Sequence, residues 1–144
     1  MQNPPPVQMS SQPPAQVAKS STGLDENIAA LLSYIFGWVT GLVFFLIEKD
    51  SRLVRFHAMQ SIILTGGGFV VLIALWIVVG IISFVIGQVS GILGFLVTVV
   101  FGLVATVISF AILIGAIIAL IKAYQGQYFK LPVVGNLAEK FSAK

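Results

Sequence analysis

From Ala58 to Ile121 the chain runs 64 residues without one ionisable side chain. A water-facing helix or strand alternates apolar with polar positions at its own period, and this stretch does neither. A helix that crosses lipid needs about 20 apolar residues. The run is too long for one crossing and suits two, joined by a tight turn. Gly87-Gln88-Val89-Ser90-Gly91 is its polar-leaning interruption and the predicted turn, which puts helices over about 58–86 and 92–121.

A second apolar block lies upstream. Ile28 to Ile47 is 20 residues long, enough for one more crossing. Thr22 and Asp25 resemble a capping box ahead of it, and Asp25 and Glu26 are the acids that a helix start favours. The predicted span is 26–47. Residues 1–22 are rich in Pro, Gln and Ser, bury too little to offset chain entropy, and read as a disordered tail. After Lys122, Tyr124, Tyr128 and Phe129 stand among lysines as an interfacial belt. Within 130–142, Val133, Val134, Leu137 and Phe141 share one face of a short helix lying on the membrane. The fold class is all-α: an integral membrane three-helix bundle over 23–144, with a disordered N-terminal tail and a short C-terminal interfacial helix.

Small residues give this grease a rhythm. Gly37 and Gly41 form a GxxxG pair, and Gly80, Gly87, Gly91, Gly94 and Gly102 continue a stripe at helical spacing. Such stripes let membrane helices approach closely, which makes a homo-oligomer or a membrane-protein partner the expected company beside the lipid bilayer. Composition agrees: 58% of the 144 residues are hydrophobic and 9% charged. The net charge of +3 is too small and too scattered for a nucleic-acid binder. Cysteine is absent, so no disulfide or thiolate metal site exists.

Charge also sets topology. With three spans, Lys49, Arg52, Arg55, Lys122, Lys130, Lys140 and Lys144 fall on one side and Lys19 on the other. The positive-inside rule makes the first side cytoplasmic. The N-terminus is then outside and the C-terminus inside, in the cell inner membrane. Candidate chemistry gathers on the basic side. Arg52 and Arg55 can meet lipid phosphate, and His57 and Gln60 share a helix face. With Lys122, Tyr124 and Lys130 they form the expected partner or headgroup surface. His57 lacks a second ligand at metal spacing, so no metal, cofactor or catalytic centre is expected. A lipid-modifying enzyme built on His57 and Arg55 is the weakest reading. A small oligomeric channel or transporter is the alternative to a partner-binding subunit, and flux in liposomes separates the two.

Two stretches carry a resemblance. One is Asp25-Glu26-Asn27-Ile28 through Gly41, with Arg52-Leu53-Val54-Arg55-Phe56-His57-Ala58-Met59-Gln60-Ser61. The other is Lys122-Ala123-Tyr124-Gln125-Gly126 with Phe129-Lys130-Leu131-Pro132-Val133-Val134-Gly135. Together they resemble small prokaryotic multi-pass membrane proteins grouped with the Tic small-subunit family of the chloroplast inner-envelope import machinery. The resemblance covers about 23–142. It implies a translocation-associated membrane subunit, with four spans in the plastid branch where three are read here. It also implies that Arg55, Phe56, His57, Gln60 and Ser61 act together, as do Tyr124, Gly126, Pro132 and Gly135.

Overall fold

A computed structural model of the chain describes residues 18–143 and is all-helical. The expected tail over 1–22 lies outside the described residues except for its last five. Helices α1 (Glu26–Leu32) and α2 (Trp38–Ile47) precede α3 (Arg52–Ser61), which continues through a π-helical turn (Ile62–Gly67) into α4 (Gly68–Val89). The chain reverses at Ser90 and returns as α5 (Gly91–Tyr124); α6 (Val134–Ser142) follows. Residues 52–89 and 91–124 are the two helices long and apolar enough to cross a membrane.

The α4–α5 hairpin is apolar on every side, the signature of a helix whose solvent is lipid. Within α4 only Val79 is buried, while Phe69, Val70, Trp76, Phe84, Phe95 and Phe110 lie open. Near its tip the two arms touch closely. A methyl on Gly94 would meet the Ser83 carbonyl at 2.8 Å and the Gly87 Cα at 3.0 Å. Thr98 Oγ1 donates to Ser83 Oγ at 2.9 Å. Ser90 ends one arm and starts the other, its side chain taking the Leu93 amide.

The predicted span 26–47 is not one continuous helix. It is broken at Ser33–Gly37 and doubles back, so that both of its ends lie together. Ser20 and Ser21, just before α1, hydrogen-bond the side chain of Glu48, just after α2. Ser51 at the start of α3 donates to Glu26 at the start of α1. The apex, Gly37, meets Ser61 and Thr65 on the central rod. From Arg52 to Thr65 is about 20 Å of helix, which is how deep this re-entrant hairpin reaches. The three-helix bundle is therefore two long helices with a collar at one end. The expected outside N-terminus loses its basis, because residues 18–25 sit at the same end of the rod as 48–52.

Glycine and alanine make the collar possible. Gly41 lies against α3, where an added Cβ would come within 2.9 Å of the Ala58 carbonyl. Gly66 sits under Trp38 and Gly68 under Ile112, while Gly67, the last residue of the π-helical turn, has open space around it. Ala29 and Ala30 of α1 and Ala119 and Ala123 of α5 are fully buried in one core with Tyr34, Leu53 and Val54. Ala119 and Ala123, near the end of α5, thus serve a contact inside the chain.

Two further expectations shift. Asp25, not Thr22, caps α1, and no side chain makes the cap bond; the turn before it is closed by a bridge between Lys19 and Asp25. The C-terminal segment does more than float. Leu131 descends to the level of Leu64 and Gly115. A tight turn centred on Val133, with φ +65°, then sends α6 back along α3. Positive φ at a β-branched residue is strained, and the packing of α6 must hold it. Gly135 and Ala138 face inward, while Val133, Leu137 and Phe141 stay open for lipid.

Candidate functional site

All the charged chemistry collects where the collar grips α3. Seven of the ten residues of α3 are buried, among them His57, Gln60 and Ser61. A short charged helix start thereby becomes the centre of the assembly, with α1, α2 and α6 packed around it.

Glu48 is the most heavily bonded side chain. It is wholly buried. Its carboxylate accepts from Ser20 Oγ, from Ser21 N and Oγ, and from the backbone amides of Asp50 and Ser51 at 2.9 Å each. Burial alone would raise its pKa. The hydrogen bonds to the ionised form outweigh that and bring it down from 4.5 to about 2. The carboxylate ties the segment before α1 to the loop after α2, which closes the re-entrant hairpin at its base.

His57 bolts the other side. Its Nε2 lies 2.9 Å from the Gln127 carbonyl, which can only accept, so Nε2 carries the hydrogen. Nδ1 is then an acceptor, and the Tyr34 hydroxyl donates to it at 3.1 Å. The imidazole is neutral and both nitrogens are engaged. It joins the turn after α1 to the loop between α5 and α6 and leaves no lone pair for a metal. Phe56 and Tyr34 meet its ring edge-on at 5.1 and 5.9 Å.

The predicted surface residues therefore divide. His57 and Gln60 are completely buried and cannot form part of an accessible rim; wrapping by the collar is the reason. Gln60 makes no hydrogen bond with either amide atom among the described residues. Arg55 is consumed structurally: Nη1 donates to the Glu48 carbonyl at 2.8 Å and the guanidinium lies 4.7 Å over the Phe45 ring. Lys130 pairs with Glu139 at 2.8 Å. Lys122 reaches Gln125 at 3.3 Å, and Tyr124 is exposed. Arg52 faces a cavity beside Phe56 and Tyr128. Among the predicted packing glycines, Gly37, Gly41 and Gly94 are in contact within the chain, and Gly102 touches only the rim of Trp76 at 3.7 Å. Gly80, Gly87 and Gly91 have open space where a Cβ would stand.

Tyr34, Gln127, Ser20 and Ser21 were not read as site residues. Each acts through a partner 23 to 70 positions away, and no local pattern announces such a bond.

A family model described as the magnetosome magnetite crystal formation protein family matches residues 23–138. A UPF0132 membrane protein of Methanocaldococcus jannaschii is 40% identical over 127 residues, covering 88% of this chain and 96% of the relative. A second from that organism is 36% identical over 121 residues, covering 83% and 71%. One from Archaeoglobus fulgidus is 41% identical over 117 residues, covering 81% and 95%. No solved structure matches the chain.

Proposed function

This chain belongs to the magnetosome magnetite crystal formation protein family, among relatives named UPF0132 membrane proteins, and we propose that it is a non-enzymatic membrane scaffold that binds another membrane-embedded chain along its hairpin. One observation carries this reading. Gly80 lies in mid-helix on the hairpin with nothing over it, whereas Gly87 backs the Gly94 contact and Gly91 only starts α5. Glycine in a helix interior costs about 1 kcal/mol against alanine, and close approach of another helix is the return that membrane helices draw from it. The glycines that serve packing within the chain are already accounted for. The likeness to the Tic small-subunit family extends the same reading to assembly around a translocation machinery.

The scaffold sits in the cell inner membrane with its collar on the cytoplasmic side. Lys19, Lys49, Arg52, Arg55, Lys122, Lys130 and Lys140 all belong to the collar end, and the Ser90 tip carries no charge. The positive-inside rule then places both termini in the cytoplasm.

A photoreactive amino acid in place of Phe84, which is exposed beside Gly80 and Gly87, tests the partner reading in native membranes. The expected product is one discrete adduct, either at twice the 15.4 kDa of the chain or at the mass of a single partner. Gly80→Leu should remove most of it. Monomer alone, in every membrane preparation, overturns the proposal.

A further inference from the structure

A cavity of about 510 Å³ opens at the collar end, lined by Arg52, Phe56, Tyr128, Glu139, Ser142 and Ala143. That volume lies within the range of small-molecule sites. Its lining is polarised. Arg52 has no carboxylate within ion-pair distance among the described residues, while Arg55, one turn along, is held by the Glu48 carbonyl and the Phe45 ring. Glu139 Oε2 accepts from Lys130 Nζ, and its Oε1 has no donor among the described residues. Ser142 Oγ, bonded only to the Glu139 carbonyl, and the Tyr128 hydroxyl add two more acceptors. Phe56 and Tyr128, with ring centres 5.6 Å apart, close the wall.

A phosphate would pair with Arg52, and Glu139, already paired with Lys130 through Oε2, still presents Oε1 to a hydrogen-bond donor on the same ligand. We propose that this cavity binds a compact zwitterion in which a phosphate faces Arg52 and a primary ammonium faces Glu139, as in a phosphoethanolamine group. Guanidinium and phosphate make charge-assisted paired hydrogen bonds. A primary ammonium has three donors for Glu139, Ser142 and Tyr128, which a trimethylammonium lacks. Because Phe56 is almost wholly covered, an aromatic cage for a quaternary amine is not present. The same chemistry occurs on a lipid headgroup and on a free phosphoamine. α6, which supplies Glu139 and Ser142, also exposes Leu137 and Phe141 to lipid. This inference is independent of what binds the hairpin.

The test is native mass spectrometry of the full chain released from detergent micelles. The probes are phosphatidylethanolamine, phosphatidylglycerol, phosphatidylcholine and soluble glycerophosphoethanolamine. The expected result is one retained ethanolamine-headgroup ligand, preferred about tenfold over the other two lipids. Arg52→Gln and Glu139→Gln should each lower its retention about tenfold, the size of one charge-assisted hydrogen bond. Lys49→Gln, away from the cavity, should leave it unchanged. Failure of the soluble compound to displace the lipid assigns the site to a headgroup, and displacement at equal concentration assigns it to a free phosphoamine. Equal retention of all three lipids by the unaltered chain overturns the proposal without any variant. So does undiminished binding in both substituted chains.

Discussion

Glu48→Ala is expected to lower the unfolding free energy in detergent by about 3 kcal/mol or more, read as a fall in the thermal midpoint. The substitution strands the buried Ser20 hydroxyl and Ser51 amide and removes the shared partner of the more exposed Ser21 and Asp50. Each buried donor left without a partner costs about 1–3 kcal/mol. Protease cleavage around residues 18–25 should appear at the same time, because Glu48 is what holds that segment to the collar. Acid provides an orthogonal check. The folded-state pKa of Glu48, about 2, lies below its ordinary 4.5. Its stabilisation is therefore complete above pH 4.5 and is lost as pH falls from there toward 2. Glu48→Gln should flatten that part of the stability profile. An unchanged midpoint in Glu48→Ala would mean that the clasp does not close the hairpin.

Gly37→Val should cost about 3 kcal/mol, for two separable reasons. Gly37 sits at φ +59° and ψ −131°, a conformation that an L side chain adopts only under strain. Its added Cβ would also meet Thr65 Oγ1 at 2.9 Å and Thr65 Cβ at 3.2 Å. Thr65→Ala in the same chain should return the part of the steric cost that Oγ1 sets and leave the Cβ contact and the backbone part, so the double variant recovers only a portion of the loss. Gly80→Val is the control. Gly80 is helical with open space around it, so its penalty within the chain is small. Equal losses at the two glycines would remove the apex from the account.

The uncharged run and its reversal were legible because lipid imposes a simple rule: long apolar helices with a break where polarity returns. Ser90, between Gly87 and Gly91, is that break. The concentration of basic residues near α3 was equally visible. The re-entrant hairpin was not. A block of 20 apolar residues meets the length criterion whether it crosses or folds back on itself. The only local sign of the fold-back is Gly37, in a chain with 14 glycines. What decides the path is tertiary, namely the bonds from Ser20 and Ser21 to Glu48 and from Ser51 to Glu26. The same reason misplaced His57 and Gln60. Their helical spacing puts them on one face, and only the collar shows that the face is covered. Arg52 and Arg55 look equivalent in the sequence, yet one is held by Glu48 and Phe45 and the other opens onto a cavity.

The proposed topology has residues 26–47 enter and leave on one side, so that residues 18–25, the 48–51 loop and α6 share a face opposite Ser90. The chain has no cysteine, which makes single-cysteine labelling clean. Thr22→Cys, Asp50→Cys, Gln88→Cys and Ser142→Cys are each exposed to a membrane-impermeant maleimide in intact cells and in inverted vesicles. Gln88→Cys alone is expected to react in intact cells, and Thr22→Cys to react together with Asp50→Cys and Ser142→Cys in inverted vesicles. Labelling of Thr22→Cys in intact cells, alongside Gln88→Cys, would show that 26–47 crosses the membrane and would contradict the proposed topology.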